Sequence, residues 1–91
     1  MSEAHWQIIF DPKAEKEFFK LDVSIQRQIQ QFLRKNIVPS SNPRQFGKAL
    51  KGDLASFWRY RVGDYRLLCT FEDNNCLIFV IQIGHRREIY H

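Results

Sequence analysis

The stretch 57–66 reads FWRYRVGDYR, and it constrains the fold more tightly than any other part of the chain. Strict alternation over 57–62 predicts a strand with Trp58, Tyr60 and Val62 on one face and Phe57, Arg59 and Arg61 on the other. Gly63-Asp64 is a short turn signal, because glycine takes positive φ at the first central position without strain. A two-residue turn pairs Val62 with Tyr65 and sets Arg61 directly opposite Arg66. The bulky apolar side chains then share one face, and Arg59, Arg61 and Arg66 share the other. Like charges facing each other across a sheet destabilise it. Such a cluster is better explained by a polyanion that sits on it than by folding.

The remaining segments fit around this hairpin. Residues 5–10 alternate, with Trp6, Ile8 and Phe10 on one side, and read as a first strand. Asp11 caps a helix that opens on Pro12, with Ala14, Phe18 and Leu21 inward and Lys13, Glu17 and Lys20 outward. Ser24 is the expected cap of a second helix, whose Ile25, Ile29, Phe32 and Leu33 form an apolar stripe ending near Asn36. Residues 39–52 carry prolines, serines and glycines and read as a long connection, with Phe46 and Leu50 as anchors to the core. After the hairpin, 73–75 is a turn, and the nearly continuous apolar run 76–83 predicts a central strand covered on both faces. A three-residue turn would pair Glu72 with Cys76, Cys69 with Phe79, Leu67 with Ile81 and Arg66 with Gln82. Gln82, Gly84 and Arg86 then join the arginine face, and Phe79, Ile81 and Ile83 the helix-covered face. Trp6, Trp58, Tyr60 and Phe79 are read as core, since all fall on apolar faces.

The fold expected is α+β: a single domain over 1–91, β-α-α-β-β-β, a small twisted and mainly antiparallel sheet with a two-helix hairpin on one face. An apolar content of 44% in 91 residues supports one core. Fourteen Lys+Arg against ten Asp+Glu give +4, which suits nucleic acid, an acidic protein or a membrane surface. No apolar run reaches a membrane span and the first residues lack a signal-peptide pattern, so a cytoplasmic protein is expected. The predicted register keeps Cys69 and Cys76 apart, so no disulfide is expected. The cysteines and scattered histidines show no metal-ligand spacing, and neither metal nor cofactor is expected.

Taken together, the strand–helix hairpin start, Leu50-Lys51-Gly52, the alternating basic strand, Asp64-Tyr65-Arg66-Leu67 and the closing 84–90 segment GHRREIY resemble the RelE branch of the RelE/ParE toxin superfamily. The resemblance spans essentially the whole chain. It implies a toxin of a bacterial toxin–antitoxin pair that cuts messenger RNA in the ribosomal A site without a metal. The ParE-like branch, which poisons DNA gyrase on a similar fold, generally lacks this basic set. The resemblance places Arg59, Arg61, Arg66, Arg86 and Tyr90 at active-site positions and His85 in the basic position before the last arginine. Lys51 falls in the basic loop before the strand, with Arg44, Lys48 and Arg87 as further RNA contacts. Arg61 stands where the best-known members have a lysine proposed as general base, and an arginine is effectively never neutral. No helix is expected beyond Tyr90. The implied partners are a cognate antitoxin, the ribosome and mRNA, with operator DNA reached only through the antitoxin.

The chemistry asked of these residues is specific. Clustered guanidiniums match phosphoryl oxygens in a planar, bidentate way and stabilise charge developing at the scissile phosphate. Arg61 and Arg66 are assigned to that phosphate, Arg59 to it or its neighbour, and Arg86 to the phosphate or the leaving 5′-oxygen. Three groups stand as candidates for the base: His85, for its imidazole; Tyr90, whose phenolate adjacent arginines favour; and Glu88. Two other readings stand beside the nuclease: a gyrase-directed toxin, and a non-catalytic ribosome- or RNA-binding module.

Overall fold

The computed structural model describes residues 5–87. Its sheet has five strands: β1 (Gln7–Phe10), β2 (Gly47–Ala49), β3 (Trp58–Val62), β4 (Tyr65–Glu72) and β5 (Leu77–His85). They lie in the order β1-β5-β4-β3-β2. β1 runs parallel to β5, and every other pairing is antiparallel. Two helices, α1 (Pro12–Phe19) and α2 (Val23–Phe32), separate β1 from the rest. This is the expected α+β arrangement with one strand more. β2 was hidden in the 39–52 connection: three residues, Gly-Lys-Ala, are too short for alternation to register.

α1 starts at Pro12 because proline pre-sets helical φ and needs no N–H partner there. α2 starts one residue before Ser24, with Asp22 in the cap position, so the expected Ser24 cap is corrected. The helix then widens into a π turn over Leu33–Ile37. The inward residues explain that turn. Ile25, Ile29, Leu33 and Ile37 recur every fourth position, which overshoots a full α-helical turn by about 40° each time. Closing Val38 N–H onto the Leu33 carbonyl (2.9 Å) takes up one extra residue and returns Ile37 to the core, where it is fully buried.

The core lies between the helices and one sheet face. Ala14, Phe18, Ile29, Leu33 and Ile37 pack against Tyr60, Val62, Leu67, Cys69, Ile78, Val80 and Ile83, with Trp6 closing one end. Burial pushes the Cys69 thiol well above its ordinary range, and both cysteines are free. No helix among the described residues is long and apolar enough to cross a membrane.

The connection is fastened differently from expectation. Phe46 is exposed, and half-buried Leu50 lies outside the core cluster. The anchor is Pro43, whose carbonyl accepts the buried Tyr60 hydroxyl at 2.8 Å. Burial raises the Tyr60 pKa, keeping it a phenol that donates this bond. Gly47 must be glycine for close approach: a Cβ there would sit 2.8 Å from the Arg59 carbonyl and 3.0 Å from the Tyr60 ring.

The β4–β5 register also departs from expectation. The turn holds one residue more, because Cys76 takes a left-handed conformation (φ 54°) and Glu72 pairs with Leu77 rather than Cys76. The Glu72 side chain accepts the Asn75 N–H at 2.9 Å and holds this wider turn. A bulge opposite Leu68/Cys69 then adds another residue, so Cys69 pairs with Val80, Leu68 with Gln82, Leu67 with Ile83 and Arg66 with Gly84. Ile78 and Val80 therefore face the helices, fully buried. Phe79, expected in the core, lies half-buried on the opposite face beside Thr70 and Ile9, and Ile81 is the extra residue of the bulge.

Candidate nucleic-acid interface

The sheet face that the helices leave open carries the basic residues in two rows. Pairing across β2–β5 places Lys48, Arg59, Leu68 and Gln82 side by side. The next row, two residues further along each strand, holds Arg61, Arg66 and Gly84. Arg61 is directly opposite Arg66, as the two-residue turn requires, and Gly63 supplies the positive φ (59°). Among the described residues the one salt bridge is Arg44–Asp73, so none of the open-face cations is neutralised by a carboxylate there.

Local hydrogen bonds orient part of the cluster. One Arg66 guanidinium nitrogen donates to the Gly63 carbonyl (3.2 Å) and the Tyr65 carbonyl (3.0 Å), which folds the side chain toward the hairpin turn. Arg86 reaches the same place through its backbone: its N–H donates to the Asp64 carbonyl at 2.8 Å. The backbone thus follows the turn one residue beyond the end of β5, and the exposed Arg86 is delivered to the end of the sheet where Arg61 and Arg66 lie. Leu68 is 7% exposed yet outside the core cluster, between Arg59 and Gln82 in its row.

Four of the basic positions do not join these rows. Arg44 makes a two-pronged contact to Asp73 (2.9 and 3.0 Å) and lies over the Phe71 ring at 4.2 Å and the Trp58 ring at 5.6 Å. Phe71 and half-buried Trp58 belong to the helix side of the sheet, so Arg44 ties the connection to the β4–β5 turn and stands away from the open face. The hydrogen bond from Arg44 holds the Asp73 carboxyl below the usual carboxylate range and raises Arg44 in turn. His85 pairs with Tyr65 and meets its ring edge-on at 5.5 Å, beside Glu17 of α1 and Lys20 and Leu21 just after it. That is the helix side, opposite the arginine rows. Arg87 is exposed, and its N–H donates to His85 Nδ1 at 3.3 Å. Lys51 is exposed at the start of the short turn 52–54, beyond the end of β2. Tyr90 and Glu88 lie outside the described residues.

Glu17, expected to point outward, has a role that periodicity does not reveal. β1 ends at Phe10, so β5 loses its neighbour beyond Val80. Glu17 Oε1 accepts the Ile83 N–H at 2.7 Å and satisfies the strand edge that β1 abandons. Among the described residues no group of three or more His, Cys, Asp or Glu side chains is placed to hold a metal ion.

A five-stranded mixed sheet backed on one side by a helix pair is the RelE-like fold. Residues 8–90 match the family described as ParE toxin of type II toxin-antitoxin system, parDE, and the chain belongs to that family. It is 28% identical over 85 residues to Toxin RelG of Mycobacterium tuberculosis, covering 93% of this chain and 95% of the relative. Among solved structures, it is similar to a chain of the Mycobacterium tuberculosis RelBE2 toxin–antitoxin complex, with TM-score 0.80 and 27% identity over 90% of this chain and 99% of the other. It is also similar to the isolated E. coli RelE toxin, with TM-score 0.70 and 25% identity over 90% and 84% of the two chains.

Proposed function

We propose that this toxin is a ribosome-dependent endoribonuclease that cleaves messenger RNA in the A site by attack of a ribose 2′-oxygen on the adjacent phosphate, with guanidiniums in place of a metal ion. The observation that carries this reading is the convergence of Arg59, Arg61 and Arg66 on one open sheet face with no carboxylate partner among the described residues. In the proposed reaction the 2′-oxygen loses its proton and bonds to phosphorus, and the bond to the 5′-oxygen breaks. The products are a cyclic phosphate and a 5′-hydroxyl. Arg61 and Arg66 stabilise the negative charge on the phosphoryl oxygens, and Arg86 stabilises the leaving oxygen. Orientation of the 2′-oxygen in line with the phosphate comes from the ribosome-bound message. His85 sits on the helix side of the sheet, so we assign proton transfer to Tyr90, with the arginines favouring its phenolate.

An antitoxin of acidic, helical character would hold the toxin inactive by covering this face, and operator DNA would be contacted through that partner. The similar Mycobacterium tuberculosis chain was solved in a toxin–antitoxin complex. Arg66→Ala and Arg86→Ala should each abolish translation-dependent mRNA cleavage while leaving the circular dichroism spectrum and unfolding midpoint unchanged or higher. Undiminished cleavage by both variants would overturn the assignment. The family description names ParE, and one observation separates a gyrase-directed toxin from this reading: double-strand breaks in chromosomal DNA with intact mRNA.

A further inference from the structure

The open face does not end at the arginines. Two residues along the strands from Lys48 and Arg59 lies a third row. Ile9 pairs with Phe79, and Phe79 with Thr70. Phe57 continues the alternation one residue before β3, with its carbonyl accepting the Leu50 N–H at 3.0 Å. Ile9, Leu50, Phe57, Thr70 and Phe79 are all half-buried, and none belongs to the core cluster or to the side chains packed against it. An apolar row that serves no core, on a face that neither helix covers, points to something laid on it from outside.

Its position says what. Rows two residues apart on a strand are spaced by about 6.6 Å, a single nucleotide's reach, and two of the three rows here are cationic. Phe57, just before β3, and Phe79 on β5 have only the small Thr70 of β4 between them, so their attachment points are separated by about 9.5 Å. A flat heterocycle fits against either ring in that interval without displacing a larger side chain. Unsequenced stacking beside a phosphate track is the arrangement by which proteins hold single strands. Resting on the nuclease reading above, we propose that Phe79 and Phe57 form a base-stacking platform for a nucleotide of single-stranded RNA whose neighbouring phosphates lie on Lys48, Arg59, Arg61 and Arg66. This places Phe79 in substrate binding and gives the face a direction, from stacked base at the Phe79 end to scissile phosphate at the hairpin end.

The test is binding of a short fluorescein-labelled single-stranded RNA by the full chain across a salt series. Phe79→Leu and Phe57→Leu keep an apolar side chain and remove the aromatic face; Phe79→Trp enlarges it; unfolding midpoints are recorded for each. The Leu variants are expected to bind about tenfold more weakly with the slope of log Kd against log salt unchanged, while Phe79→Trp retains or tightens binding. Wild type should bind an oligonucleotide lacking one base about as weakly as Phe79→Leu binds the intact one. Arg66→Ala should instead reduce the salt slope by about one. Wild-type affinity in both Leu variants, with Arg66→Ala still flattening the slope, would overturn the platform and leave the nuclease reading in place. Loss of antitoxin binding by Phe79→Leu with RNA binding untouched would assign the row to a protein partner and overturn it as well. No change in Arg66→Ala would remove the nuclease reading and this inference together.

Discussion

Arg61 on β3 faces Arg66 on β4 across the tightest turn of the sheet, with Gly63 in the left-handed region between them. Two permanent positive charges at directly opposed positions oppose folding, and a neutral pair there would hold the hairpin better. Arg61→Gln should therefore raise stability by about 0.2–1 kcal/mol in urea denaturation while reducing toxicity to background. A variant both less stable and still toxic would show that the pair is structural.

The hairpin was legible because its turn leaves no freedom: a two-residue Gly-Asp loop fixes every pairing from Val62–Tyr65 outward. The β4–β5 turn was not. Its length depends on Cys76 adopting positive φ, which nothing in a cysteine announces, and on the Glu72 side chain accepting a backbone N–H. The turn shifts the pairing by one residue and the bulge by one more. Two such shifts restore the face assignment at the arginine end, so Gln82 and Gly84 lie where alternation put them. Between turn and bulge only one shift applies, and there Phe79 and Val80 exchange sides. The arginine rows were thus readable from sequence and the aromatic row beside them was not. Lys48 joined the rows only once β2 paired with β3. The position of His85 on the helix side follows the same alternation that places Gly84 and Arg66 together.

Tyr60 holds the connection to the sheet by a single buried hydrogen bond to the Pro43 carbonyl. Tyr60→Phe leaves that carbonyl unsatisfied and should cost about 1–3 kcal/mol by chemical denaturation. A loss below a few tenths would mean that the Pro43 carbonyl finds another donor.

Glu17 should matter more than its place on a helix surface suggests. Glu17→Ala strips the Ile83 N–H of its acceptor and is expected to cost about 1–3 kcal/mol, with Glu17→Gln costing less because an acceptor oxygen remains. Hydrogen exchange read at the Ile83 amide should accelerate in the alanine variant. Unchanged protection there would refute the role of Glu17 in closing the β5 edge.

The Arg44–Asp73 clamp gives a pH dependence of defined sign. The folded-state pKa of Asp73 is lowered, so the stability it contributes is fully present above the unfolded carboxylate value, about 3.9, and is lost as pH falls through the lower folded value. Both side chains are partly solvent-exposed, so the effect is small, below about 1 kcal/mol. The stability gap between wild type and Asp73→Asn should stay level at neutral and mildly acidic pH and close below about pH 4. A gap that widens under acid would contradict the clamp.

The central proposal is that a nucleic-acid phosphate is held by the open arginine face and cut there. Sequencing of 5′ ends on translated mRNA shortly after induction, for wild type and Arg66→Ala, tests this most directly. New 5′ ends confined to translated regions, present with wild type and missing with Arg66→Ala, are predicted. Intact messages accompanied by chromosomal DNA breaks, or identical cleavage by the two proteins, would contradict it.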